Sequence, residues 1–251
     1  GLNTRKMGTN MKNISVIGIG KLGLCFALTL EKQGYRVVGV DVSEEYIRMV
    51  NDKTLVTPEM DVVNDLTQSK NLTATTDIKK GLNHSDVLFL FVATPSLPNG
   101  RYDHTQIDGV VKHLTQYGSP SQTKHIIIGC TTMPGYCDTV QDRLQHYGFT
   151  VSYAPEFIAQ GSVMRDLANP DIVLIGEGSQ SAGDKILDIY LSILQNEPSI
   201  HRMSCKEAEI TKIALNCFVT TKIAYANMVG DIAKSAGCMP DLILNAVGSD
   251  S

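Results

Sequence analysis

Along the chain, short apolar runs alternate with stretches whose apolar residues recur at three- and four-residue spacing. The runs fall at residues 14–17, 36–40, 87–92, 125–128, 150–153 and 172–175, and two of them, 87–92 and 172–175, carry no polar position. A half-exposed strand alternates apolar and polar side chains, whereas a strand covered on both faces is apolar throughout. The pattern therefore predicts an α/β chain with a doubly wound, mostly parallel sheet and crossover helices on both sides. From Cys205 the pattern changes. KEAEITKIALNCFVTTKIAYANMVGDIAKSAG predicts one long helix over 205–237. Ser204 and Glu207 are placed as a capping box at its start, with Gly237 and Pro240 as stop signals. A short helix over 240–247 follows. The long helix is expected to bury Ile210, Ile213, Ala214, Cys217 and Phe218, with Lys212 and Asn216, four apart, sharing one face, which spacing alone assigns equally to an inward pair or a solvated face.

The segment Gly18-Ile19-Gly20-Lys21-Leu22-Gly23 follows the first run and opens a helix-like stretch. The first glycine permits a tight turn, the second a close backbone approach to a diphosphate, the third close helix–strand packing. The helix start adds free N–H groups and partial positive charge. Asp41 closes the second run about 20 residues on, where an acid binds both ribose hydroxyls. A carboxylate there repels a 2′-phosphate, so the pattern points to NAD in a Rossmann-type domain rather than to a plain βαβ turn. Three later segments also follow strand ends: Val92-Ala93-Thr94-Pro95, Cys130-Thr131-Thr132-Met133-Pro134-Gly135, and Ala154-Pro155-Glu156-Phe157-Ile158-Ala159-Gln160-Gly161. Strand ends form the rim at which open α/β sheets bind ligands. Each segment equally suits a bland turn or helix cap.

Composition narrows the classes. No run approaches the roughly 18 apolar residues of a membrane span. The net charge of −4, with no Lys/Arg cluster, argues against a nucleic-acid groove. Six cysteines without C-x-x-C pairs suit free thiols in a reducing cytosol. No metal site is expected. The expected layout is a polar leader over 1–10, an NAD-binding Rossmann domain over 11–198, and a helical segment over 199–251.

Taken in order, GIGKLG, VDVS, VATP, CTTMP, APEFIAQGSVMRDLANPDIVLIG and EITKIALNCF resemble the nucleotide-sugar dehydrogenase family, the UDP-glucose 6-dehydrogenase type in particular. The resemblance covers 11–251. It implies NAD as cofactor, a nucleotide sugar (a UDP-sugar) as substrate, and oxidation of the sugar C6 alcohol to a carboxylate with two NAD. The setting it implies is UDP-glucuronate and polysaccharide biosynthesis by a cytoplasmic homodimer paired through the long helix. By the same resemblance, Gly18, Ile19, Gly20, Lys21, Leu22, Gly23 and Asp41 hold the adenosine and diphosphate. Val92, Ala93, Thr94, Pro95, Thr131 and Thr132 line the nicotinamide side. Glu156, Phe157, Ile158, Ala159 and Gln160 contact the substrate, with Gln160 also near the cofactor. Thr132 and Glu156 position a water or move a proton. Lys212 and Asn216 bind the substrate, polarise the C6 oxygen and stabilise an oxyanion.

The chain departs from the family in three places. The second oxidation of the family uses a cysteine nucleophile in a Gly-Gly-x-Cys loop beyond the helical segment. None of the six cysteines has that context, and the sequence stops before that loop and the C-terminal domain. The expectation is a cofactor-binding portion that binds NAD without completing the four-electron oxidation. Tyr46 stands where the family carries a basic residue, and Gln160 where it often carries Glu. Two further readings stay open. A β-hydroxyacid dehydrogenase needs no cysteine but lacks its substrate-binding Gly-Gly segment here. A non-catalytic NAD-binding module would need neither Lys212, Asn216 nor Glu156.

Overall fold

The computed structural model describes residues 12–158 and 162–249. Strands and helices alternate along the first half, save for two successive helices after β2: β1 (Asn13–Ile17), α1 (Lys21–Lys32), β2 (Arg36–Val40), α2 (Glu44–Asn51), α3 (Met60–Gln68), β3 (Leu72–Thr75), α4 (Ile78–His84), β4 (Val87–Leu90), α5 (Thr105–Tyr117) and β5 (Lys124–Ile128). The remainder comprises α6 (Tyr136–Leu144), β6 (Phe149–Tyr153), α7 (Val163–Ala168), β7 (Ile172–Glu177), α8 (Gln180–Ile193), β8 (Ser199–Ser204), α9 (Cys205–Ser235) and α10 (Pro240–Val247). The strands form one sheet in the order β3-β2-β1-β4-β5-β6-β7-β8, parallel except where β6 meets β7. This is the doubly wound, Rossmann-type arrangement expected. Its order reverses at β1, so a crevice opens beyond the carboxyl ends of β1 and β4.

β3 (LTAT) and β8 (SIHRMS) were not expected. Both lie at sheet edges, where continuous apolar sequence is not required, and neither shows an apolar run. β8 also moves a boundary. Its residues pair with β7 from Ser199 opposite Ile172 to Ser204 opposite Glu177. Residues 199–204 therefore belong to the sheet, not to the helical segment expected from 199. The first compact unit runs to Glu209 and the second is Ile210–Ser251.

Alternate strand residues feed two cores. Val16, Phe89 and Ile127 join α1, α7 and α8 on one face; Ile17, Leu88, Leu90, Ile126 and Ile128 join α4, α5 and α6 on the other. That double coverage is why the central strands are mostly apolar on both faces, with β4 (VLFL) apolar throughout. Phe26 of α1 is fully buried, its ring 4.7 Å from Phe89 and 5.0 Å from Phe91. Truncating such a side chain costs roughly 3–5 kcal/mol, so this cluster pins α1, and the loop before it, to the sheet.

The helix signals hold. Ser204 N–H donates to Glu207 Oε2 at 2.9 Å and Glu207 N–H to Ser204 Oγ at 3.3 Å, a reciprocal capping box. Gly237 (φ +70°) follows the helix end, and Pro240 opens α10. In the second unit, however, the apolar residues of α9 are not buried as expected. Ile210 is 51% exposed and Phe218 59%, Ala214 and Cys217 are exposed, and Ile213 is half-buried. Lys212 is buried and Asn216 exposed, which separates the two residues expected to share a face. Helical period tells which residues share a face; it does not supply a cover for that face within one chain.

Candidate functional site

The three glycines of the first βα turn act differently. Gly18 has φ +84°, and its N–H donates to Val40 O at 2.7 Å, closing the turn against β2. A Cβ at Gly18 would lie 2.2 Å from the Phe91 carbonyl oxygen, and one at Gly23 would lie 1.8 Å from that of Gly18. Neither position takes a side chain. Gly20 is the opposite case: φ is −62°, and nothing lies within 4 Å of where its Cβ would be. That open space adjoins the start of α1, where the first N–H groups have no partner within the helix. Room for close approach and a positive helix end together suit a diphosphate.

Asp41 follows β2. Its Oδ2 accepts from Ile19 N–H at 3.0 Å and its Oδ1 from Val42 N–H at 2.8 Å. The Ile19 carbonyl in turn accepts from the Tyr46 hydroxyl at 2.6 Å. Ile19 is fully buried and its backbone is engaged at both ends, so it shapes the loop rather than facing a ligand. Burial, with Asp41 nearby, pushes the Tyr46 phenol up to about 12, so it stays a donor at neutral pH. The place where a basic residue was expected is thus filled by a neutral group that grips the glycine loop. Lys21 pairs with Glu59 at 2.8 Å, and Leu22 packs on the core.

A crevice of about 490 Å³ runs along the carboxyl ends of β1, β2 and β4, bordered by Gly18, Gly20, Asp41, Val92 and Ala93. Its outer wall comes from Thr76 and Ile78 at the start of α4 and from His113 and Tyr117 on α5. Sequence did not single these out, because only the pairing of β3 outside β2 brings Thr76 there. Thr94 and Pro95 lead on into a small hairpin in which Ser96 bridges Tyr102 and Asp103 N–H donates to Pro95 O at 2.8 Å.

The loop after β5 is held from a distance. α6 begins at Gly135 (φ +85°), which has no side chain to cap it. Glu209, fully buried on α9, serves instead: it accepts from Gly135 N–H at 2.6 Å, Cys137 N–H at 2.8 Å and the Thr132 hydroxyl at 2.7 Å. The carboxylate satisfies orphan donors at the positive end of α6. Thr132 is fully buried and its hydroxyl proton is committed to Glu209. Thr132, expected to position a water or move a proton, here secures the loop with its hydroxyl, and the partly exposed member of the pair is Thr131. Glu209 was missed, although an acid three residues before Lys212 on the same helix was a usable signal.

Glu156 follows β6 and is half-buried, its Oε1 accepting from the Tyr190 hydroxyl at 2.5 Å. Burial and the Glu156 carboxylate hold the Tyr190 phenol well above its ordinary range. Phe157 and Ile158 pack partly against the two cores. Ala159 and Gln160 lie outside the described residues. Lys212 and Asn216 stand on α9 in the second unit, where the Asn216 carbonyl accepts from the Thr220 hydroxyl at 3.0 Å.

Residues 12–194 match the UDP-glucose/GDP-mannose dehydrogenase family, NAD binding domain, and residues 206–251 match that family's central domain. The chain is 29% identical over 249 residues to GDP-mannose 6-dehydrogenase of Pseudomonas aeruginosa, covering 94% of this chain and 56% of that protein. It is 30% identical over 254 residues to UDP-glucose 6-dehydrogenase of Bacillus subtilis, covering 96% and 53%. A UDP-glucose dehydrogenase structure from Pyrobaculum islandicum matches with a TM-score of 0.85 at 28% identity, covering 100% of this chain and 59% of that one. The chain thus spans about half the length of the curated relatives it matches.

Proposed function

The chain belongs to the UDP-glucose/GDP-mannose dehydrogenase family and carries its NAD-binding domain, and from that premise we propose that it serves hydride transfer from the C6 alcohol of a nucleotide sugar, UDP-glucose being the type. The observation that carries the coenzyme half is the open space at Gly20, bounded by the start of α1 on one side and Asp41 on the other. Each Asp41 oxygen accepts one N–H and keeps a lone pair for a ribose hydroxyl. Bound there, NAD supplies the acceptor for a hydride leaving C6. Glu156, tethered by Tyr190, receives the alcohol proton directly or through a water. Of the α9 pair, Lys212 is the donor assigned to the oxygen as it gains charge. Thr131 and the Thr132 backbone border the nicotinamide side. The alcohol loses a hydride and a proton and becomes an aldehyde.

A second oxidation calls for a thiolate. Cys25, Cys130, Cys137 and Cys205 are buried, and burial pushes the Cys25 and Cys130 thiols up to about 12. Cys217 and Cys238 are exposed, the first on α9 and the second beyond its end. In our reading the residues named above serve the first, two-electron step, as the cofactor-binding portion of the reaction. The exposed Phe218, Val219, Ile223 and Met228 of α9 favour pairing with a second copy, and six free cysteines suit the cytoplasm. Calorimetric titration of the chain, saturated with NAD, by UDP-glucose and by GDP-mannose tests the substrate class. Heat from at least one supports it, with the larger affinity naming the base; NAD binding without heat from either overturns it. A monomer at micromolar concentration would overturn the pairing.

A further inference from the structure

His104 stands where the hairpin after β4 turns into α5, and no sequence motif singled it out. Its ring stacks on Tyr136 with centroids 3.8 Å apart, and its Nε2 accepts from Met133 N–H at 3.2 Å. An imidazole nitrogen accepts only when it carries no proton, so this bond requires neutral His104 with its hydrogen on Nδ1. The bond joins two loops of different origin. One begins with Val92 and Ala93 on the crevice; the other is the loop over 131–135 after β5. Asp41 fixes the adenosine half beside β2, so in a sheet of this order the nicotinamide half falls across the ends of β4 and β5, where these two loops emerge.

We propose that His104 is a positioning residue for the nicotinamide half of the coenzyme site: as a neutral acceptor it ties the Met133 loop to the β4 hairpin, and protonation unties them. The inference rests on the NAD reading of the crevice. The charged and titratable groups around His104 are Arg101 and Asp103 from the hairpin, Asp108 from α5, Glu209 from α9 and the stacked Tyr136 from α6. The nearest acids are already engaged. Asp108 accepts from the Tyr136 hydroxyl at 2.9 Å and from the Arg143 guanidinium at 2.5 Å, and Glu209 holds the start of α6. Burial therefore dominates and keeps His104 below its ordinary 6.5. A group lowered on folding contributes fully above its unfolded value, and that contribution is lost as pH falls through the lower folded value.

The test titrates NAD and ADP-ribose, which lacks the nicotinamide, into the chain between about pH 5 and pH 8. For the wild type, NAD affinity relative to ADP-ribose should fall about five- to tenfold toward the acid end. His104→Gln keeps an acceptor that does not titrate, so its ratio should stay flat near the neutral wild-type value. His104→Phe keeps the stack and loses the acceptor, so its ratio should be low at every pH. Equal acid losses for both ligands, or a wild-type ratio in His104→Phe, would overturn the role of His104 and leave the coenzyme crevice standing. Failure of both ligands to bind the wild type would overturn the crevice reading and the inference with it.

Discussion

Replacing Glu209 separates two consequences of one buried carboxylate. Its Oε1 accepts from the Thr132 hydroxyl at 2.7 Å and Cys137 N–H at 2.8 Å, both fully buried donors, while its Oε2 accepts from the half-buried Gly135 N–H at 2.6 Å. Glu209→Ala orphans all three, and water reaches Gly135 most easily. Leaving a buried donor unpaired costs about 1–3 kcal/mol, and the lost favourable charge at the α6 start adds about 0.3–1 kcal/mol. The two buried donors and the helix end together come to roughly 2–7 kcal/mol. For a chain of this size that lowers Tm by roughly 4–28 °C, at about 2–4 °C per kcal/mol. Glu209→Gln should behave differently. An amide oxygen in the Oε1 place keeps both buried bonds, and the amide nitrogen meets only Gly135, so the loss should be about 1–2 kcal/mol. Urea unfolding followed by circular dichroism measures both variants against wild type. Equal losses for Ala and Gln, or an Ala variant within about 0.5 kcal/mol of wild type, would refute the bonding pattern.

Gly20→Ala should leave thermal stability unchanged or slightly raised, since its φ of −62° suits any residue and its Cβ meets nothing, yet lower NAD affinity at least about tenfold. Gly23→Ala drives a Cβ to 1.8 Å from the Gly18 carbonyl oxygen and should destabilise the fold itself; equal effects at the two glycines in melting and calorimetry would contradict this. Brief alkylation near pH 8, read by intact mass, should label Cys217 and Cys238, while Cys25 and Cys130, held up to about 12 by burial, react only after denaturation. Tyr46→Phe removes the 2.6 Å bond to Ile19 and should cost about 1 kcal/mol. Because the Tyr46 phenol is raised on folding, its contribution should be complete below about pH 10 and be lost as pH rises toward 12; a stability difference between Tyr46→Phe and wild type that ignores pH there would count against it.

What could be read from sequence was set by forces acting over a few residues. The glycine loop, Asp41 closing β2, the Ser204–Glu207 capping box and Pro240 at the start of α10 each follow from sterics or donors within one turn, and the structure places all of them as expected. Doubly covered strands were equally legible, because burial on both faces writes itself as predominantly apolar sequence. Edge strands β3 and β8 were not, since one exposed flank lifts that requirement. Thr131 and Thr132 are adjacent hydroxyls that no pattern distinguishes; the path of the chain off β5 buries one and leaves the other partly exposed. Glu209 meets Thr132 across 77 residues and His104 meets Met133 across 29, and a buried acceptor finds its donor only once the sheet order has brought those loops together. Local sequence specified the coenzyme cradle; tertiary structure alone decided which polar groups hold its far side in place, because their partners lie at sequence distances over which periodicity carries no information.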